Sequence, residues 1–186
     1  MKIAVYSGSF NPLHIGHLAI IRHMIEEAGF DMVYLIVSPK NPLKDGISSE
    51  SGAERYQAAV AAVERRDLTS RVKVDDIELN MPEPHYTIRT LDALREREPE
   101  NEFTLIMGAD NLDSIRRWRD YSRILTEFGT AVFPRTGFDL NVIKEGLLVE
   151  NPEYKITLLN AEMVDMSSTT IREASASGQD VSSWLM

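Results

Sequence analysis

Short apolar runs alternate with helical patterns along the whole chain, and this alternation constrains the fold more than any other feature of the sequence. Met32–Val37 and Phe103–Met107 are almost continuously apolar, which is typical of strands that are covered on both faces. Between residues 15 and 28 the apolar positions recur mostly at steps of three and four residues, which predicts a helix that Gly29 ends. Strand–helix alternation over the whole length predicts an α/β fold with a mainly parallel sheet and helices on both faces.

The other predicted elements follow the same logic. Strands are predicted at Ile3–Tyr6, Arg71–Ile77, Thr130–Phe133 and Tyr154–Leu159. Helices are predicted after the capping-box pattern Ser51-x-x-Glu54, from Ile88 toward Pro99, and at Tyr121–Phe128, Leu140–Leu148 and Ser168–Ala176, the last with a capping-box spacing at Thr170 and Glu173. Residues 38–52 are rich in Pro, Gly, Ser and Lys and predict a long loop, which is uncommon unless the loop binds something.

Composition excludes several classes of protein. The chain has 186 residues, which predicts a single domain over 1–186, and its 29 acidic and 20 basic residues give a net charge of −9. The absence of cysteine excludes disulfides, thiolate zinc, iron–sulfur ligation and a cysteine nucleophile. The acidic balance disfavours nucleic acid as a partner, and no apolar run approaches the roughly 20 residues of a membrane span. We therefore expect a cytoplasmic protein with neither nucleic acid nor membrane as a partner.

The segment after the first predicted strand carries the strongest chemical signal. It reads SGSFNPLHIGH at residues 7–17. Small residues allow the backbone to approach a ligand, and the free amides of the helix that follows favour an anion. His14 and His17 are three residues apart and share one helical face, so both imidazoles could donate hydrogen bonds to a phosphate and become charged as negative charge builds up.

Other interpretations of this segment are weaker. A His-x-x-His pair alone is more often incidental than catalytic, and a zinc site is disfavoured because no cysteine and no His-Glu-x-x-His pattern is present. A dinucleotide-dependent oxidoreductase would need Gly-x-Gly-x-x-Gly and an acidic residue after the second strand, where Ser38-Pro39 stands instead. The Gly-x4-Gly-Lys-Ser/Thr phosphate loop is absent too. A strand–loop–helix phosphate site with two histidines remains.

The spacing Gly8-x-Phe10-x-Pro12-x-His14-x-x-His17 resembles the signature of the nucleotidyltransferase superfamily, and over nearly its full length the chain resembles bacterial nicotinate-nucleotide adenylyltransferases. The supporting segments occur in the family's order: SPKNPLK (38–44), YTIRTL (86–91), MGADNL (107–112), Trp118 and MSSTTIR (166–172). Ser7 stands where the family often has Gly. The chain also ends at WLM (184–186), where the family usually continues with a Pro- and Tyr-containing segment that bears on how the adenine side is closed.

The resemblance implies a Rossmann-like, doubly wound fold and a reaction. ATP and nicotinate mononucleotide would be the substrates, and deamido-NAD and pyrophosphate the products of a direct in-line displacement. The attacking phosphate is already ionised and pyrophosphate leaves readily, so catalysis reduces to alignment and stabilisation of charge. Mg²⁺ would arrive with ATP, held mostly by phosphate oxygens and water, with no metal ligands from the protein.

The resemblance also assigns roles to residues. His17 and His14 would be catalytic. The expected ATP-binding residues are Gly8, Ser9, Phe10, His14, His17, Gly108, Asp110, Ser168, Thr169 and Arg172, with a terminal helical region of about 161–186 closing the ATP site. The expected mononucleotide-binding residues are Lys44, Tyr86, Thr87, Trp118 and Arg135, of which Arg135 could also reach the phosphates or the adenine side, and Lys40 is a weaker candidate.

Alternatives stay open at several positions. Asp110 could cap a helix, Arg172 could form a surface ion pair with Glu173 or Asp165, and Trp118 could be a core residue. The acceptor could instead be nicotinamide mononucleotide, phosphopantetheine or flavin mononucleotide, or the chain could be a catalytically silent nucleotide-binding module. The expected partners are ATP and nicotinate mononucleotide, and a homo-oligomer is also open.

Overall fold

The computed structural model describes residues 1–39, 51–162 and 166–186. The strands are β1 (Lys2–Gly8), β2 (Met32–Val37), β3 (Val72–Asp75), β4 (Glu102–Gly108), β5 (Thr130–Phe133) and β6 (Ile156–Leu158). Within the described residues they form one sheet in the order β3-β2-β1-β4-β5-β6, and every neighbouring pair is parallel. This is the strand order of a doubly wound Rossmann sheet, so the predicted fold class is confirmed.

The helices connect these strands. They are α1 (Ile15–Glu26), α2 (Gly52–Arg65), α3 (Thr87–Arg97), α4 (Ala109–Asp113), α5 (Tyr121–Arg123), α6 (Leu140–Glu150) and α7 (Ser168–Ala176). Short 3₁₀ turns lie at Ile77–Asn80, Ile115–Arg117 and Ser182–Trp184, and α5 continues as a wider π-helical turn over Ile124–Phe128.

Three local predictions were wrong, one of them because the predicted strand Tyr154–Leu159 spans only Ile156–Leu158. The predicted strand Arg71–Ile77 is shorter in the structure, because Asp75 Oδ1 accepts from Ile77 N at 3.0 Å and turns the chain out of the sheet. The predicted capping box at Thr170 and Glu173 does not start α7. Ser167 is the cap instead, and its hydroxyl accepts from Thr170 N at 3.1 Å.

Both faces of the sheet are covered by helices. Along β1, Ala4 and Tyr6 belong to one buried cluster, while Ile3 and Val5 belong to another. This division follows from the alternation of side chains along a strand. The first cluster includes buried residues of α1 and α2, and the second includes those of α3 and α6. Apolar burial on both faces explains why the strands read as nearly continuous apolar runs.

The strand order reverses between β1 and β4. β1 lies beside β2 on one side and β4 on the other, so the connections leave in opposite directions and open a crevice at the carboxyl ends. Residues 7–17 run from the end of β1 into the start of α1, Gly108 ends β4, and Arg135 follows β5. The segments that carry most of the predicted site therefore meet at one edge. Among the described residues, no helix has both the length and the apolar character that crossing a membrane requires.

Candidate active site

A cleft opens at this edge between α1, the end of β5 and the start of α7. Its empty volume is about 800 Å³, including the open solvent at its mouth. Polar side chains line it: His14, His17, Arg135, Glu162, Ser167 and Ser168. A concave cleft with several convergent polar groups is the usual setting of a small-molecule site.

The two histidines are oriented by the first turn of α1. His14 is the N-cap, and its Nδ1 accepts from Gly16 N at 3.1 Å. His17 completes a capping box, because its Nδ1 accepts from His14 N at 3.2 Å. An Nδ1 that accepts carries no proton, so each neutral ring keeps its hydrogen on Nε2. The rings stack on each other, with centroids 3.7 Å apart and an angle of 31° between their planes, and both residues line the cleft.

Gly16 is part of this arrangement, although the sequence analysis gave it no role. A Cβ at this position would lie 2.9 Å from His14 Cε1 and 3.0 Å from His14 Nδ1. The His14 ring could not fold back onto the Gly16 amide if that Cβ were present. The signal was visible in the sequence, because a glycine stands between the two histidines, directly after the first position of the helix.

The electrostatics of the cleft keep both rings neutral. Burial, and to a smaller extent the Arg135 guanidinium, lowers the pKa of His14 from 6.5 to about 4. The pKa of His17 falls to about 3, mainly through burial and then through His14 and Arg135. At neutral pH the rings therefore act as uncharged Nε2–H donors. A bound triphosphate would favour the charged form and raise both pKa values.

The predicted ATP-binding residues Gly8, Ser9 and Phe10 support the histidines from behind and are not among the residues that line the cleft. Phe10 is 4% exposed with a φ of 46°, and its ring meets the His17 ring edge-on at 5.2 Å. A Cβ at Gly8 would lie 3.1 Å from the Phe10 ring. Gly8 thus makes room for Phe10, which in turn supports His17.

Arg55 fixes the carbonyl of Ser9, the residue between Gly8 and Phe10. It is 2% exposed, and its Nη1 donates to the carbonyl oxygens of Ser9 at 2.7 Å and Ser38 at 2.8 Å. The guanidinium thereby joins the end of β1 to the end of β2. Arg55 was not predicted as a site residue, although it lies four positions before the buried Ala59 and so shares the apolar face of α2.

The start of α7 is bound to the same loop. Ser168 Oγ donates to the carbonyl of Pro12 at 2.9 Å. Arg172 Nη1 donates to the carbonyl of Asn11 at 2.6 Å, and its Nη2 donates to Thr169 Oγ1 at 3.1 Å. The described contacts of Arg172 thus tie α7 to the histidine loop, which differs from the surface ion pair considered as an alternative. Asp165, one partner of that ion pair, lies outside the described residues.

Gly108 and Asp110 stand beside Arg135. Gly108 is the N-cap of α4 and lacks a side-chain cap, so Asp110 does not act as the helix cap that was considered. Asp110 Oδ1 lies 3.8 Å from Arg135 Nε. A Cβ at Gly108 would lie 2.6 Å from Asp110 Oδ1 and would displace this carboxylate. Arg135 lines the cleft with the histidines, on the side of the predicted ATP residues.

Three of the other predicted mononucleotide residues, Tyr86, Thr87 and Trp118, are not among the residues that line the cleft. Tyr86 caps α3, which begins at Thr87, and its side chain is 41% exposed. The Arg119 guanidinium stands 5.7 Å from the centroid of the Tyr86 ring, so the segment that carries Trp118 approaches the start of α3. Trp118 is half-buried and packs against the core cluster on this face.

Three predictions fall on residues that the structure does not describe. Lys44, the weaker candidate Lys40 and most of the predicted loop 38–52 lie in the 40–50 segment. Within the described ranges, no group of three or more His, Cys, Asp or Glu side chains is placed to hold a metal ion.

Comparisons with known proteins give the family of the chain. The family model described as cytidylyltransferase-like matches residues 5–174. A protein of Flavobacterium johnsoniae named "Probable nicotinate-nucleotide adenylyltransferase" is 39% identical over 97% of this chain and 90% of its own length. A protein of Bacteroides fragilis with the same name is 38% identical over 97% of this chain and 85% of its own length.

Solved structures show the same fold. The nicotinic acid mononucleotide adenylyltransferase of Plasmodium falciparum, complexed with NaAD, matches with a TM-score of 0.75 over 97% of this chain and 87% of that chain. Its sequence identity is 18%, so the likeness concerns the fold alone. Family model, curated relatives and fold agree, and the chain belongs to the nicotinate-nucleotide adenylyltransferases of the cytidylyltransferase-like family.

Proposed function

We propose that this chain transfers the adenylyl group of ATP to nicotinate mononucleotide, giving deamido-NAD and pyrophosphate in NAD biosynthesis. The family supports the reaction, since curated relatives at 38% and 39% identity are named probable nicotinate-nucleotide adenylyltransferases. The observation that carries the mechanism is the pair of imidazoles whose Nδ1 atoms accept backbone amides, which leaves two Nε2–H donors in one cleft.

In this proposal the histidines stabilise charge and do not exchange protons. The phosphate oxygen of the mononucleotide is already anionic and needs no general base. His17 donates to the α-phosphate of ATP as this phosphate becomes five-coordinate, and His14 donates beside it. Because both rings are neutral before ATP binds, each enters the site as an oriented donor without the cost of burying a charge.

The β- and γ-phosphates are proposed to lie between Arg135 and the start of α7. Ser168 and Thr169 open this helix, whose unpaired amides favour an anion. Arg172 is bonded through Nη1 to the loop carbonyl of Asn11, so it holds α7 against the histidine loop, and its remaining N–H groups would contact the phosphates. We propose in addition that residues 161–186 close the ATP site of a single domain spanning 1–186.

The adenosine ribose is proposed to contact Asp110, whose carboxylate is half-exposed at the end of β4 beside Gly108. The nicotinate ring is proposed to lie near Tyr86, Thr87 and Trp118. The support for this placement is that α3 begins with its free amides beside Tyr86 and that Arg119 brings the Trp118 segment there. A pyridine carboxylate would accept from the amides at a helix start.

A divalent cation would come with ATP. Nucleotidyltransferases generally use one, and the described carboxylates do not form a cage for it. We propose that Mg²⁺ is held by phosphate oxygens and water, and no catalytic step above depends on a protein ligand to the metal. We also propose that the enzyme acts in the cytoplasm, where its co-substrate ATP is available.

The test is a steady-state assay of pyrophosphate release with ATP and a panel of acceptors: nicotinate mononucleotide, nicotinamide mononucleotide, phosphopantetheine and flavin mononucleotide. The expected result is the highest kcat/KM with nicotinate mononucleotide. Faster turnover of the amide form would contradict the carboxylate site at the start of α3. Binding of ATP in a calorimeter, without pyrophosphate release from any acceptor, would show a silent nucleotide-binding module.

A further inference from the structure

The last residues of the chain contact the backbone of the histidine loop. Leu185 pairs with His14 as an isolated antiparallel bridge. The Met186 amide donates to the carbonyl of Leu13 at 3.3 Å. More than 170 residues of sequence separate these partners, and the contact falls on the residue that caps α1.

Two arginines hold this tail in place: Arg65, the last residue of α2, and Arg66, which follows it. Arg65 Nη2 donates to the carbonyl oxygen of Met186 at 3.0 Å, and Arg66 Nη2 donates to that of Leu185 at 2.9 Å. The Met186 side chain is 3% exposed and belongs to the same buried cluster as Leu13. A tail that packed only for its apolar contact would not need a charged donor on each of two successive carbonyls.

We infer that Leu185 and Met186 are positioning residues for adenylyl transfer, because they fix the backbone of Leu13 and His14 and thereby aim both imidazoles. This inference rests on the role proposed above for the histidines. The geometry supplies the connection, since the His14 amide donates to His17 Nδ1 and the His14 ring accepts from Gly16. A shift of the His14 backbone therefore turns both rings at once. Misplacement by about 1 Å can cost on the order of a hundredfold in rate.

The test uses three variants of the full chain and one conservative rescue variant. The first is Arg65→Gln combined with Arg66→Gln, which removes both donors from exposed positions, and the second is Met186→Ala. The matched control is Arg71→Gln. Arg71 is another exposed arginine that donates to two backbone carbonyls, those of Asp31 at 2.6 Å and Phe30 at 2.8 Å, but at the amino edge of the sheet.

Two readouts separate positioning from stability. We expect kcat to fall about tenfold in the first two variants, with the KM for the mononucleotide nearly unchanged and kcat unaffected in Arg71→Gln. The second readout is the titration of His14 by NMR. Water that enters beside a loosened ring should move its pKa from about 4 back toward 6.5, with His17 and Arg135 still facing it. Conservative Arg65→Lys with Arg66→Lys should restore part of the rate.

Each outcome is decisive. Wild-type kcat in both tail variants, an equal loss in Arg71→Gln, or an unchanged His14 titration would overturn the positioning role. If the wild-type chain itself releases no pyrophosphate, the proposed function fails, while the titration of His14 still reports whether the tail fixes the ring. Loss of kcat with an altered His14 titration in the tail variants alone would support the inference.

Discussion

His17→Ala removes two contributions that the structure allows to be separated. The ring is a proposed donor to the α-phosphate, and its Nδ1 also accepts the His14 amide in the capping box of α1. Loss of an oriented donor of this kind typically costs about 3–4 kcal/mol, or roughly 10²–10³ in rate. Loss of the cap costs about 1 kcal/mol of folding free energy. His17→Ala should thus fold, lose most of its turnover and keep much of its ATP affinity.

His17→Gln is the matched control. Glutamine at the third position of a helix can accept the cap amide, as in an ordinary capping box, but it does not restore the imidazole Nε2–H. We expect His17→Gln to recover the stability lost in His17→Ala, measured by chemical denaturation, while pyrophosphate release stays low. Turnover within a few-fold of wild type in His17→Ala, or recovery of turnover together with stability in His17→Gln, would reduce the role of His17 to helix capping.

Three further predictions test neighbouring parts of the site. Gly16→Ala should lower kcat about tenfold or more, because its Cβ would meet the His14 ring at 2.9 Å. Its stability should be nearly unchanged, because alanine favours the helix, and a wild-type kcat would contradict the clash. The pKa of His14 is about 4 in the folded state, so the unfolded state binds more protons below pH 6.5. The free energy of unfolding should therefore fall from pH 6.5 toward pH 4, and His14→Gln should flatten this slope. Trp118→Ala should raise the KM for the mononucleotide more than that for ATP; an unfolded variant would instead support a core role for this half-buried side chain.

The local spacing of the sequence was enough to predict the elements. The apolar runs at Met32–Val37 and Phe103–Met107 lie within β2 and β4 as predicted, because strands buried on both faces must be apolar at successive positions. Boundaries were less predictable. β3 stops at Asp75, where a carboxylate turns the chain, and such a turn leaves no trace in hydrophobic periodicity. The proximity of the His14 and His17 side chains could be inferred, since both residues lie within one helical turn.

The contacts between distant segments could not be inferred in this way. Arg135 faces the histidines from the end of β5, Arg55 reaches the loop after β1 from α2, and Met186 meets Leu13. The order of the strands brings these groups together, and that order depends on how whole faces pack rather than on any local pattern. Periodicity records which side of an element is apolar, and it does not record which neighbour covers it. The sequence by itself thus determined the strands, the helices and the histidine turn, while tertiary packing decided which charges and which carbonyls surround that turn.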